Sequence, residues 1–314
     1  MDGVTQLTVR NGVLGGGSSG IESRAGNTTV EDVSFIGGSG VGARLFPNAV
    51  VRRSTFRDYF GGGLIVVRAS DDPFSTVIED CTFTRIGPTG STAIAASDLT
   101  TIRNVTVEDC GSGISVGDNS SVTDVRIAQM LGRAVTMGNN CSLTGFTISR
   151  AVTAADSRDG VLGGDECLIK DGTFTNYLGT GSMMTLARNA HVSDTILRNA
   201  TAAGANGLRV STSSTILDCS IDDANNIGLA AGSYCTIRGN SIESRFFGGT
   251  AIQVDGRCLI DGNRTFGDIE YTGVENVIVR NSIESGDIVE NGTPSTNTVG
   301  PLNDLTSPWA NFRR

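Results

Sequence analysis

Two adjacent acids, Asp222 and Asp223, are the most suggestive residues in this 314-residue chain. A close carboxylate pair is what glycosidic hydrolysis uses, one group as acid and one as base or nucleophile. Asp156 and Asp159, in another of the variable-turn loops, are the further acids, so these four are the catalytic candidates; no sequence feature decides among them. Around them the chain carries Arg158, Tyr177, Arg198, Arg245 and Phe246. Rings that underlie a pyranose face, interleaved with charges that bond its hydroxyls, are what a sugar-binding surface needs, and these five are the substrate-binding candidates. The same mixture describes a side-by-side oligomer interface or a solvated row of loops. Other chemistry is sparse. The single histidine, His191, has no neighbouring acid or cysteine to complete a triad. Seven cysteines are an odd number with no Cys-x-x-Cys, which fits neither a full set of disulfides nor a spaced zinc site.

A repeated six-residue phrase positions these residues. It is seen at Ile216-Leu217-Asp218-Cys219-Ser220-Ile221: apolar, exposed, Asp/Gly/Asn, small, Ser/Thr, apolar. The phrase opens at Val9, Val30, Val51, Ile78, Ile102, Val122, Leu143, Ile169, Val192, Ile216, Ile237, Ile260 and Ile278, the anchors, at spacings of 18 to 27 residues. Strand-type alternation at that period is a solenoid signature, and no 3.6-residue period competes with it. A second strand precedes most anchors. Ile94, Ile114, Val135, Val161, Met184, Leu208, Leu229 and Ile252 each stand eight residues before theirs. One constant arm and one variable arm per turn predict a single-stranded parallel β-helix of about 13 coils with three short strands each. The expected organisation is a β-helix over 1–290 and a C-terminal cap over 291–314.

The anchor phrase, the opening Gln6-Leu7-Thr8-Val9-Arg10-Asn11-Gly12 and the closing Ser307-Pro308-Trp309-Ala310-Asn311-Phe312 resemble the bacterial right-handed parallel β-helix repeat proteins of the pectate-lyase-like superfamily. The resemblance implies an all-β, right-handed solenoid that acts at the cell surface or as a secreted protein. It leaves activity open, because the fold hosts many functions. Asp222-Asp223 resembles the adjacent acids of the polygalacturonase-like branch, but the Asn-Thr-Asp, Gly-His-Gly and Arg-Ile-Lys motifs of that branch are missing. The first functional expectation is an exported carbohydrate-interacting protein that binds through its variable-turn loops. The alternatives are a lyase, epimerase or hydrolase of acidic glycans, or a structural rod.

Net charge is −9 and the sequence pI about 4.7, which disfavours nucleic acid, since no basic patch exists to release counterions. No apolar run approaches the ~18 residues of a membrane span. Met1-Asp2-Gly3 opens without the basic and apolar regions of a secretory leader. The partners expected are a polysaccharide and further copies of the chain, end to end or side by side.

Equivalent positions should stack as columns. Cys141, Cys167, Cys235 and Cys258 then fall inward, as small core residues or as the pairs Cys141–Cys167 and Cys235–Cys258. Asn240, Asn263 and Asn281 form a structural ladder, and Asp32, Asp80, Asp124, Asp171, Asp194 and Asp218 mark a bend. Asp118, Asn139 and Asp165 stack in the constant turn, as ordinary turn residues or as ligands of a calcium ion; no other cofactor is suggested. Arg10, Glu31, Arg52, Glu79 and Arg103 alternate in sign on an outer column and should form a solvated ion-pair ladder. The outward face of the first strand (Glu22, Gly42, Ile65, Ala95, Ser115, Thr136, Leu162, Thr185, Arg209, Ala230, Gln253, Glu270) has a bland middle, so the variable-turn loops are the expected site.

Overall fold

A computed structural model describes residues 6–67, 75–88, 90–152, 157–245, 249–291, 296–303 and 306–313. No helix occurs among them; the structure is a parallel β-solenoid. The chain divides into two compact units, 1–153 and 154–314.

Each unit repeats one coil. A first strand such as Asn206–Val210 is followed by an anchor strand such as Thr215–Leu217 and a third strand such as Ser220–Ala224. Within each unit the strands pair in parallel with their counterparts in the next coil, and the predicted inward columns are in register. In the first unit Ile94 faces Ile114 and Ile114 faces Val135; in the second Met184 faces Leu208 and Leu208 faces Leu229. The anchors from Val30 to Ile278 are fully buried. Both backbone edges of an internal coil are therefore paired, and the apolar columns fill the core from within. In the first unit one core column is a stack of Phe35, Phe56 and Phe83, whose centroids are 4.4 and 4.7 Å apart with rings nearly parallel. That is the strand spacing itself, so ring stacking and backbone pairing reinforce each other.

Three corners close each coil, and each needs a left-handed residue. The corner after the anchor is Asn11, Asp32, Arg53, Asp80, Asn104, Asp124 and Gly145 in the first unit. In the second it is Asp171, Asp194, Asp218, Gly239, Gly262 and Arg280, and over both φ runs from 45° to 68°. Asp, Asn and Gly tolerate this region best, so the periodic Asp is a consequence of backbone shape. A second corner lies at the end of the third strand (Asp58, Arg85, Asp109, Gln129 and Arg150; then Asn176, Asn199 and Asp223), and a third precedes the anchor (Asn48, Leu99, Asn119 and Asn140; then Glu166, Asn189, Ser213, Tyr234 and Arg257). Glycine near the start of the first strand has a separate cause. A Cβ on Gly207 would meet the Gly228 carbonyl oxygen and Ile221 Cγ2, both at 2.5 Å.

The asparagine ladder is buried and longer than expected. Asn240 Nδ2 donates to Asn263 Oδ1 (2.9 Å), Asn263 Nδ2 to Asn281 Oδ1 (3.0 Å), and Asn281 Nδ2 to Asn311 Oδ1 (3.0 Å). Asn311 comes from the C-terminal tail, where Thr298–Val299 pairs with Val277–Val279 and Phe312–Arg313 with Ser282–Ser285. Ala310 and Asn311 enter the core, whereas Trp309 is exposed and lies under the Arg280 guanidinium. The outer column is ion-paired, with Arg10–Glu31 at 2.9 Å and Glu79 held by Arg52 and Arg103. It is not solvated throughout, because Glu79 is buried between its two arginines.

Candidate functional site

The variable-turn row brings its charges together in pairs. Arg198 Nε donates to Asp222 Oδ2 at 2.8 Å, and Ser220 Oγ donates to both oxygens of the same carboxylate at 3.1 and 3.2 Å. Asp223 occupies a left-handed corner with φ 61°, and Arg245 Nε lies 3.7 Å from it. The adjacent acids are thus one ion-paired strand residue and one turn residue. Asp159 Oδ1 accepts the Ser182 backbone amide at 2.9 Å, which ties it to the next coil. Tyr177 corrects the expectation of an exposed sugar platform. It is fully buried, edge-on to Phe174 with centroids 6.1 Å apart, and its hydroxyl donates to the Arg158 carbonyl at 2.5 Å. The corner at Asn176 turns the following side chain inward, which strand alternation alone does not anticipate. Arg158 itself is exposed. Asp156 and Phe246 lie outside the described residues.

The remaining reactive types are also committed. His191 is half-buried on the anchor strand between Leu168 and Thr215. All seven cysteines are buried free thiols. Burial pushes Cys81 up to about 12 and Cys110 and Cys219 up to about 11, far from a reactive thiolate. The Cys235 amide approaches Cys258 Sγ at 3.4 Å, and the two remain unbridged; Cys141 and Cys167 belong to different units. The calcium candidates spend their oxygens elsewhere: Asp118 Oδ1 accepts the Asn139 amide at 2.6 Å, and Asp165 accepts the Arg188 amide and guanidinium. Among the described residues no three His, Cys, Asp or Glu side chains converge as a metal site.

A concavity of the second unit lies on the face whose sequence looked bland. Leu162, Thr185, Arg209, Ala230 and Gln253 stand in register on five successive first strands. With Ala187, Ser211, Gly232 and Asp255 along one side, they line an open groove of about 520 Å³. Its polar groups are uncommitted. Arg209 is exposed and has no ion-pair or hydrogen-bond partner among the described residues, nor has the Gln253 amide, and Thr185 Oγ1 is buried without one. Asp255 accepts only a long 3.4 Å bond from Thr272 Oγ1. Beyond Gln253 the next outward residue, Glu270, is already occupied by Thr250 Oγ1 and Asn291 Nδ2.

The family profile described as "right handed beta helix region" matches residues 2–126 and 93–265. This chain is a member of the right-handed β-helix family. No curated protein matches it. Among solved structures it is similar to the Azotobacter vinelandii mannuronan C-5 epimerase AlgE4 A-module, with 12% identity over 91% of each chain and a TM-score of 0.48. It is also similar to the Streptococcus pneumoniae surface protein and adhesin PfbA, with 11% identity over 92% of each chain and a TM-score of 0.36.

In this β-helix the groove has the composition of a binding surface. A free guanidinium is a planar fork for a carboxylate, and the hydroxyl and amide beside it suit a polyhydroxylated ligand. Small side chains at Ala187, Ala230 and Gly232 leave the ligand room. The lining includes one carboxylate, Asp255, and not the acid pair of glycosidic hydrolysis. The available sequence signal was modest: Arg209 is the only charged residue between the two ends of its outward column as first aligned. That alignment needs one correction. In the first unit the outward residue beside Glu22 and Ile65 is Arg44, while Gly42 is buried two residues earlier against Phe56.

Proposed function

We propose that this right-handed β-helix binds an acidic polysaccharide along the first-strand face of residues 154–314. The observation that carries the reading is Arg209: an unpaired cation in a groove whose neighbouring hydroxyl and amide are also unpartnered. Elsewhere in the unit arginines are used up in ion pairs, as at Arg198, Arg238, Arg257, Arg264 and Arg280. The five coils that line the groove span about 20 Å at ~4.8 Å per strand, which suits an extended chain running along the stack rather than a compact ligand. The protein's net charge of −9 opposes an anionic polymer at long range. Salt screens that repulsion beyond about 8 Å at physiological ionic strength, so contact chemistry in the groove decides the outcome. On this reading the protein works outside the cytoplasm, where such polymers occur.

The test is affinity electrophoresis in polygalacturonate and alginate at physiological salt, with Arg209→Gln run beside the parent protein. Retardation of the parent that the variant loses supports the reading. Equal migration of the two, or no retardation of either, removes it. Assaying the same mixtures for unsaturated or reducing products separates binding from turnover, and binding without product is expected.

A further inference from the structure

The first unit has a cleft of its own, and its chemistry differs from that of the Arg209 groove. Asp58, Tyr59, Phe60, Arg85, Pro88 and Asp109 line a hollow of about 330 Å³ at the corner after the third strand. That volume is at the small end of the roughly 300–1,000 Å³ typical of ligand pockets. Phe60 is 67% exposed, an unusual state for a ring of that size. Its backbone is held on both sides: the Phe60 amide donates to the Gly38 carbonyl at 3.0 Å, and its own carbonyl accepts Ser91 Oγ at 2.6 Å. The exposed ring is therefore presented on a fixed support.

Around the ring the lining carries two acids, Asp58 and Asp109, and one arginine, Arg85, with Arg57 next to Asp58 outside the lining. Asp58 receives a bidentate pair from Arg85 (2.6 and 3.0 Å) and lies 3.3 Å from Arg57, which leaves Asp109 as the second acid against two arginines. The Asp109 carboxylate accepts no hydrogen bond from any described residue. The Tyr59 hydroxyl, deeply buried, also has no partner, whereas Tyr177 at the matching position of the other unit has its hydroxyl satisfied by a carbonyl. An exposed ring, a rigid guanidinium–carboxylate edge and a free acceptor, with no surplus of positive charge to hold an acid, match a pyranose that presents an apolar face and hydroxyls but no acid.

We infer that the cleft at Phe60 is a second saccharide site, selective for neutral sugar units, with the ring packing against the pyranose face and Asp109 accepting a hydroxyl. It is independent of the Arg209 groove, and the experiment separates the two. Calorimetry and a glycan array would compare the parent, Phe60→Ala, Asp109→Asn and Arg209→Gln against cello-, xylo-, malto- and manno-oligosaccharides and oligogalacturonates. Phe60→Trp adds a ring whose emission, taken as the difference from the parent's Trp309 signal, reports stacking. At least one neutral series should bind the parent. Phe60→Ala should weaken it about tenfold with unchanged circular dichroism, as expected for an anchor ring. Asp109→Asn should weaken it less, and Arg209→Gln not at all. The inference is overturned if no neutral oligosaccharide binds at millimolar concentration, if Phe60→Ala binds as the parent does, or if only oligogalacturonates bind; the last result leaves the Arg209 reading standing.

Discussion

Two surfaces of the second unit invite comparison. The variable-turn row is rich in acids and arginines, but its charges are partnered: Arg198 with Asp222, Arg245 with Asp223, Asp159 with a backbone amide. The first-strand groove has few charges, and those it has are open. The difference teaches that density of ionisable residues is a poor guide to a site on a stacked repeat. Stacking brings like positions within one strand spacing of each other, so opposite charges in adjacent coils satisfy one another, and only a residue whose column neighbours are neutral stays available. Arg209, between Thr185 and Ala230, is such a residue.

The largest effect should come from removing that cation. Arg209→Gln deletes a charge-assisted contact of about 2 kcal/mol and should weaken binding to polygalacturonate about thirtyfold. Its melting temperature should match the parent's, since no internal partner is lost. A variant that binds as well as the parent would place the ligand elsewhere. Next comes the groove's shape. Ala230→Trp fills the space beside Arg209 and should reduce affinity about tenfold while the fold persists, because the position faces outward. Unchanged affinity would mean that the ligand does not enter the groove.

These contrasts also explain what could be read in advance. The coil was legible because each geometric need recurs with a residue preference: apolar anchors inward, Asp, Asn or Gly at left-handed corners, glycine where the next coil's carbonyl crowds a Cβ. Where the preference is overridden, reading fails. Arg53 and Arg280 occupy corners that nothing in their side chains announces. Tyr177 reads as a surface residue because it falls in a variable-turn loop, and the left-handed corner at Asn176 turns it into the core instead. The groove was illegible for a different reason. Concavity arises from the arrangement of several coils, and being unpartnered is a property of side-chain distances, neither of which any single stretch of sequence contains. Arg209 was visible as a residue, and only the structure shows that it is unspent.

The paired row should respond weakly where the groove responds strongly. Arg198→Gln and Asp222→Asn should each change polygalacturonate affinity less than about twofold. Because Arg198 is half exposed, a double-mutant cycle on unfolding should give a coupling of only about 0.2–1 kcal/mol. A large loss of binding from either substitution would return the site to the loops and undo the contrast.

The smallest effect concerns a pair outside both surfaces, and it tests whether paired charges in this unit act on stability alone. Hydrogen bonds from the Arg188 guanidinium and amide hold the Asp165 carboxyl below its ordinary value of 3.8. A folded-state value lower than the unfolded one means that the carboxylate stabilises the fold above about 3.8, and that this contribution fades as pH falls through the lower folded value. Melting curves of the parent and Asp165→Asn should therefore differ slightly at neutral pH, the parent being the more stable, and converge in strong acid. Glycan affinity should be the same for both. Curves that stay apart in acid would show that Asp165 contributes through something other than its charge, and an altered affinity would show that pairing does not remove a residue from binding.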